Sequence, residues 1–384
     1  MPGDTAEPLG GHETPALSRI TGAGPGPYHH LPVPDAELGD PGRPWWQRLL
    51  FGLVGLAAFV TALGLMKRGA ASLIPALEGS IFTDNAWSAL GVGWLGACLV
   101  LSGSPVAASS LTLLDGGAID RSQSFAMLTG SRLGASFVVL VVGVIYALRR
   151  DAGRKAPLSI GVYALTITVV AYLPGALLGW WLLTQGHLDG LDIAASPGVV
   201  SVTDTLFGWL PDLLEGVVPG WGLFPIGVLI LLGAFSCFDH VLPHVGSDQF
   251  ASSRLSNPWV MFGLGCLVAF LTLSVSVALT LLVPLVANGY VKREDTIPYI
   301  AGANITTLAD TLVAAVILGN ADAVRVVIAE VVGVASVTVL LLAVAYPLVR
   351  RGAITWAQFI LTKRSHLAGF VAVLLVTPVL LIAV

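Results

Sequence analysis

The sequence predicts an all-α polytopic membrane protein made of two inverted-topology repeats, each containing a re-entrant helical hairpin. Three observations predict it. Of 384 residues, 55% are hydrophobic and 11% charged, against roughly 25% charged in soluble proteins, which leaves too little charge to coat a water-exposed surface. Several apolar runs reach the ~20 residues that cross a bilayer core. Two more apolar stretches, about 86–118 and 258–290, are broken at their centres by small polar residues and match each other in register.

Residues 1–46, rich in Pro and Gly, cannot bury enough apolar surface to fold alone and predict a disordered cytoplasmic tail. His29-His30 reads as part of that solvated tail. The first long apolar run starts near Leu49, so no signal peptide is read. Trp45-Trp46 and Arg48 read as an interfacial anchor for the first span. Spans are predicted near 48–66, 123–148, 157–184, 222–243, 297–319, 325–348 and 366–384. The first repeat then covers 47–184 and the second 222–348. Between them lies an acidic extracytoplasmic loop, 185–221, and after them a cytoplasmic linker and terminal helix, 349–384.

The two broken stretches contain SGSPVAASS and LSVSVALT. Each is too long for one helix and interrupted in the middle, which suggests a hairpin that returns to the side it entered. Non-helical backbone at that depth is tolerated only within protein or along a watery cavity. Setting position n beside n+172 pairs Gly91 with Gly263, Gly93 with Gly265, Ser102 with Ser274, Ser104 with Ser276, Gly117 with Gly289, Arg121 with Arg293 and Gly130 with Gly302, without a gap.

Lys/Arg bias sets the orientation. Arg149, Arg150, Arg154, Lys155, Lys292, Arg293, Arg350, Arg351, Lys363 and Arg364 belong inside. The loop carrying Asp189, Asp192, Asp204, Asp212 and Glu215, with no Lys or Arg, belongs outside. Lys67-Arg68 and Arg121 break this rule. The threading gives the halves opposite topology in the cell membrane, with a cytoplasmic N-terminus. Inverted repeats with broken helices are the mark of secondary transporters with a midplane site.

Leu273 to Thr307, LSVSVALTLLVPLVANGYVKREDTIPYIAGANITT, resembles the type II sodium/phosphate cotransporter family, including its bacterial symporters. That family carries Q-S-S-S in each of two inverted hairpins. A glycine follows sixteen residues after the glutamine, and G-x-N-I-G-T thirteen after that. The spacing is kept at Gly289 with Gly302–Thr307, and at Gly117 with Gly130. LGLMKRGAASL, Leu63 to Leu73, is similar to the segment before the family's first hairpin. The likeness covers about 48–175 and 222–348. It departs at Leu101-Ser102-Gly103-Ser104 and Leu273-Ser274-Val275-Ser276, where both glutamines are leucine, and at Arg132, where the family has asparagine. Glu330 stands near the place of a family histidine.

The resemblance implies sodium-coupled uptake of inorganic phosphate by alternating access. Phosphate would lie between the breaks, with Ser102, Ser104, Ser109, Ser110, Ser274, Ser276 and Thr280 as candidate hydroxyls and Arg132 as a candidate contact. Helix N-termini suit an anion through unpaired N–H groups and the positive dipole end. Small residues also permit close helix packing, the plainer reading of any single serine. Sodium, the coupling ion, needs oxygens, and Asn304, Thr306, Thr307 and Asp310 are the candidates. Arg132 either contacts the anion, stands in for a bound cation, or forms a structural pair with Asp310. The alternatives are a sodium-independent or proton-coupled oxyanion carrier, and a non-transporting membrane sensor or scaffold.

No cofactor, nucleic-acid partner or enzymatic arrangement is predicted; the bilayer is the expected partner, and a homo-oligomer is left open. The net charge of −4 gives no nucleic-acid footprint. Cys98, Cys237 and Cys266, odd in number and within apolar runs, read as small packing residues. Gly91-x-Gly93-x-x-Gly96 matches a dinucleotide fingerprint in letters only, because no strand precedes it. Asp239, His240 and His244 read as an interfacial cluster, and Gly175-x-x-x-Gly179 as a packing surface.

Overall fold

The structure, a computed structural model, describes residues 44–77, 85–148, 155–191, 212–214, 217–239, 257–272, 274–287 and 291–384. The predicted tail to residue 43, most of the acidic loop, Gly289, His240 and His244 lie outside the described residues, as does the side chain of Ser276. All regular structure among the described residues is helical. Seven helical segments, 46–75, 121–148, 155–184, 220–237, 293–318, 321–344 and 364–382, are long and apolar enough to cross a membrane. They fall where the seven spans are predicted, and the chain is a multi-pass helical membrane protein. The first span is longer than expected because its helix runs on through Pro75 to Leu77.

In order, the helices are α1 (Trp45–Leu77), α2 (Ala86–Val100), α3 (Ser104–Asp115), α4 (Arg121–Ala135), α5 (Phe137–Leu148) and α6 (Lys155–Thr184). After them come α7 (Gly220–Asp239), α8 (Pro258–Thr272), α9 (Val275–Thr280), α10 (Leu282–Ala287), α11 (Thr296–Thr306), α12 (Leu308–Leu318) and α13 (Ala321–Val344). The last two are α14 (Tyr346–Ile360) and α15 (Arg364–Ile382). Helices α4 and α5 form one span interrupted at Ser136, and α11 and α12 another interrupted at Thr307.

Capping fixes where these helices begin. The Asn85 carboxamide accepts from the backbone of Trp87 and Ser88, and the Ser88 hydroxyl returns to the Asn85 backbone. Asn257 repeats the first contact to Trp259, 172 positions on. Asp120 and Gln123 close the same box at the start of α4. Each such cap satisfies N–H groups that a helix start leaves without partners.

The n+172 register reappears as contact. A Cβ on Gly93 would lie 2.0 Å from the Met127 carbonyl oxygen, and one on Gly265 would lie 2.1 Å from that of Tyr299. Gly130 stands equally close to Leu90, and Gly302 to Phe262. So α2 meets α4, and α8 meets α11, backbone to backbone at corresponding positions, which only glycine allows. At the centre α6 crosses α13, where Gly175 and Gly179 lie against Gly333, Val334 and Ala329. Helix α15 leans on α2 at Gly91 and leaves Val373, Val376, Val379 and Leu380 exposed. An exposed apolar stripe on a spanning helix is the surface that lipid covers.

Candidate functional site

Both broken stretches are helix–break–helix units. Helix α2 stops at Leu101, whose φ of 56° makes it the sole non-glycine residue with positive φ among the described residues. Such backbone costs free energy and is kept where the surroundings require it, often at functional positions. The N–H groups of Leu101 and Ser102 both turn back to the Ala97 carbonyl. The chain re-enters a helix at Ser104, with Pro105 in the first turn. A Cβ on Gly96 of α2 would lie 3.5 Å from the Val106 side chain of α3, so the arms lie side by side. In the second unit α8 ends at Thr272, and the Ser274 hydroxyl caps α9 by accepting from Val277 at 3.3 Å.

The two breaks share one cavity. It has a volume of about 210 Å³ and is lined by Ser102, Ser104 and Pro105 from the first break and by Thr272, Ser274 and Val277 from the second. Helix α7 closes a third side with Leu232, Phe235 and Ser236. This space is far above the ~10–15 Å³ that one water requires. The Ser102 and Ser104 hydroxyls make no hydrogen bond within the protein among the described residues. They stand at the N-terminus of α3, where helix N–H groups are unpaired and the dipole favours negative charge.

The remaining hydroxyl candidates are placed differently. Ser109 donates to the Pro105 carbonyl at 2.8 Å and Ser110 to that of Ala107 at 2.7 Å, so both are tied into α3. Neither lines the cavity, and neither does Thr280, which donates to Val277 at 3.3 Å. Thr272 and Ser236 line it without having been marked in the sequence.

A second polar layer lies behind the first break. A Cβ on Gly103 would meet the Ser131 carbonyl oxygen and the Ala135 side chain at 2.9 Å, so the last turn of α4 backs the break. That turn carries Arg132, which is 2% exposed. Its Nη2 lies 3.4 Å from Asp310 Oδ1 and also donates to Thr311 Oγ1. The pairing of Arg132 with Asp310 is therefore present, and it joins α4 to α12. The Thr311 hydroxyl and N–H in turn donate to Asp310 Oδ1. Arg132 Nε and Nη1 and Asp310 Oδ2 have no hydrogen-bond partner among the described residues.

The other cation candidates form a chain of contacts across α6. Asn304 donates its amide to Thr168 Oγ1 at 2.9 Å, and Thr168 meets Ser136 at 2.7 Å. The Asn304 carbonyl accepts from the Tyr172 hydroxyl at 2.6 Å and from Thr307 at 3.1 Å. Thr306 donates to the Cys266 carbonyl at 3.0 Å. Both span interruptions, Ser136 and Thr307, thus meet on one helix. Glu330, fully buried on α13, brings Oε2 to 2.8 Å from the Thr129 hydroxyl. No group of three or more His, Cys, Asp or Glu is placed to hold a metal ion among the described residues.

The chain matches no family model, no curated protein and no solved structure. The functional reading therefore rests on the cavity and the polar layer behind it.

Proposed function

We propose that this protein is a secondary transporter that moves inorganic phosphate, or a similar tetrahedral oxyanion, across the cell membrane by alternating access. In this reading its halves are inverted repeats, the helix–break–helix units are re-entrant hairpins, and the N-terminus is cytoplasmic. One observation carries the reading: two breaks 172 residues apart converge on one cavity, with hydroxyls from both and the N-terminus of α3 at its wall. That is the geometry in which discontinuous helices hold an anion at depth. The matched glycine contacts support the repeat.

Sodium is the coupling ion that the family resemblance implies, and the oxygens of Asn304, Thr306 and Thr307 are the donors it would use. A second reading, a carrier that runs without sodium, is favoured by Arg132. This cation stands where the second half has Asn304, and Asp310 already pairs with it.

Uptake of radiolabelled phosphate into proteoliposomes, under an inward sodium gradient, an inward proton gradient or neither, tests both. Sodium-stimulated uptake supports the first reading and uptake indifferent to sodium the second. Absence of uptake and of exchange in every condition overturns the carrier.

A further inference from the structure

We propose that Glu330 binds the coupling proton of this carrier; this rests on the transport reading and specifies its driving ion. Thr129 Oγ1 lies 3.0 Å from the Phe125 carbonyl oxygen and 2.8 Å from Glu330 Oε2. A threonine hydroxyl has a single hydrogen, and a carbonyl can only accept. A threonine within a helix commonly gives that hydrogen to the carbonyl four residues back. Where that hydrogen is given to the Phe125 carbonyl, Oε2 is the donor to Thr129, as a neutral Glu330 carboxyl would be.

The surroundings agree. Glu330 is completely buried in a spanning helix, and its Oε1 has no partner among the described residues. An ionised carboxylate there would hold one hydroxyl contact, far less than a buried charge requires. The groups facing it are few. From α4 come Thr129 and Arg132 and from α6 Tyr172, while Asp310 of α12 lies against Arg132. Tyr299 of α11 is engaged by Ala278, Asp115 of α3 by Lys67, and Arg350 and Arg351 of α14 lie beyond the far end of α13.

Arg132 is committed through Nη2 to Asp310 and Thr311. With the proton on Glu330 the cluster of Arg132, Asp310 and Glu330 carries no net charge. Without it the cluster carries one negative charge, for which the unpartnered Nε and Nη1 of Arg132 are the available donors. A proton taken from solution on one side and released on the other makes the cluster alternate between these states as the cavity changes its access.

The test uses the full chain in proteoliposomes and joins two readouts. The first is infrared absorption of neutral carboxyl groups, wild type against Glu330→Gln; a band lost in the variant is expected, and no difference overturns the proposal. Because Gln can still donate to Thr129, the fold is expected to survive. Thr129→Val is the second variant, and it must shift the band by removing the acceptor of the carboxyl proton; an unmoved band overturns the assignment. The second readout is phosphate transport. An inward gradient of about one pH unit drives about tenfold accumulation per coupled proton. Wild type is expected to accumulate phosphate, whereas Glu330→Gln fails to accumulate it and exchanges it at a rate that no longer changes with pH. Proton-driven accumulation that persists in Glu330→Gln, or accumulation that only sodium drives, overturns the coupling role. Absence of phosphate exchange in wild type overturns the carrier reading itself, and the coupling role with it, whatever the infrared band shows.

Discussion

Ser102 and Ser274, 172 positions apart and belonging to different helical units, line the same cavity. The arrangement makes a prediction for each serine alone and for the two together. A hydrogen bond to a charged ligand contributes roughly 1.5–3 kcal/mol, so Ser102→Ala should weaken phosphate binding by about 10- to 100-fold. Ser274→Ala should do the same, with about 1 kcal/mol of additional helix destabilisation because this hydroxyl also caps α9. The double variant should lose more than either one. Scintillation proximity binding of labelled phosphate on purified protein measures all three; wild-type affinity in both single variants would sink the shared site.

Arg132 and Asp310 allow a thermodynamic cycle. Both are almost wholly buried. Removing one partner of such a pair leaves an uncompensated charge at a cost of about 3–5 kcal/mol. Arg132→Gln and Asp310→Asn should therefore each lower the melting temperature in detergent sharply. The double variant Arg132→Gln/Asp310→Asn should recover much of the loss, because no buried charge is left unpaired. Additive losses would show that the residues act independently. If Arg132→Gln transports phosphate with unchanged ion coupling, the guanidinium has a structural role alone.

Much of this was legible in the sequence, and the reasons are physical. Bilayer thickness fixes the length of a span, so seven spans could be placed from apolar runs alone. The breaks were legible because S-x-S within an apolar stretch suits neither a spanning helix nor a lipid face. Their meeting at one site was implied by the family resemblance alone, since the residues themselves give no distance between Ser102 and Ser274. Thr272 was missed because a threonine at the end of a helix has many uses. Ser236 was missed because α7 reads as an ordinary span with one hydroxyl. Glu330 was noticed near the place of a family histidine, but its partner Thr129 lies 201 positions away and could not be read from the sequence. Conversely, Ser109 and Ser110 look identical in sequence to cavity hydroxyls, yet helical geometry aims them at their own carbonyls.

The glycines at the helix crossings make a sharper structural prediction. A Cβ at residue 130 would stand 2.1 Å from the Leu90 carbonyl oxygen, and one at residue 302 would stand 2.2 Å from that of Phe262. Backbone oxygens cannot rotate away, so relief requires moving a helix. Gly130→Ala and Gly302→Ala should each cost at least the ~1–3 kcal/mol typical of overpacking. Gly263→Ala meets nothing within 4 Å and should be near neutral. Thermal unfolding of the three variants compares them directly, and equal melting temperatures would refute the close crossing.

The far end of the first helix–break–helix unit carries a last test. Asp115, where α3 ends, pairs with Lys67 of α1 at 2.9 Å and accepts from the Asn320 amide at 2.8 Å. Asn320 is at once the cap of α13, accepting from Asp322 and Ala323. One asparagine thus fixes the start of a spanning helix and ties that helix to the unit bearing Ser102 and Ser104. Asn320→Ala removes both functions, whereas Asn320→Ser keeps a capping oxygen and removes the donor to Asp115. Loss of the cap costs about 1 kcal/mol, and the neutral-to-charged hydrogen bond about 1.5–3 kcal/mol when buried, less at this half-buried position. Asn320→Ser should therefore fall between wild type and Asn320→Ala in melting temperature. Lys67→Met should cost about 1–3 kcal/mol, because the lysine is half exposed but the buried Asp115 Oδ2 loses its partner. If Asn320→Ser is as unstable as Asn320→Ala, the amide contact to Asp115, rather than the cap, holds α3 to α13.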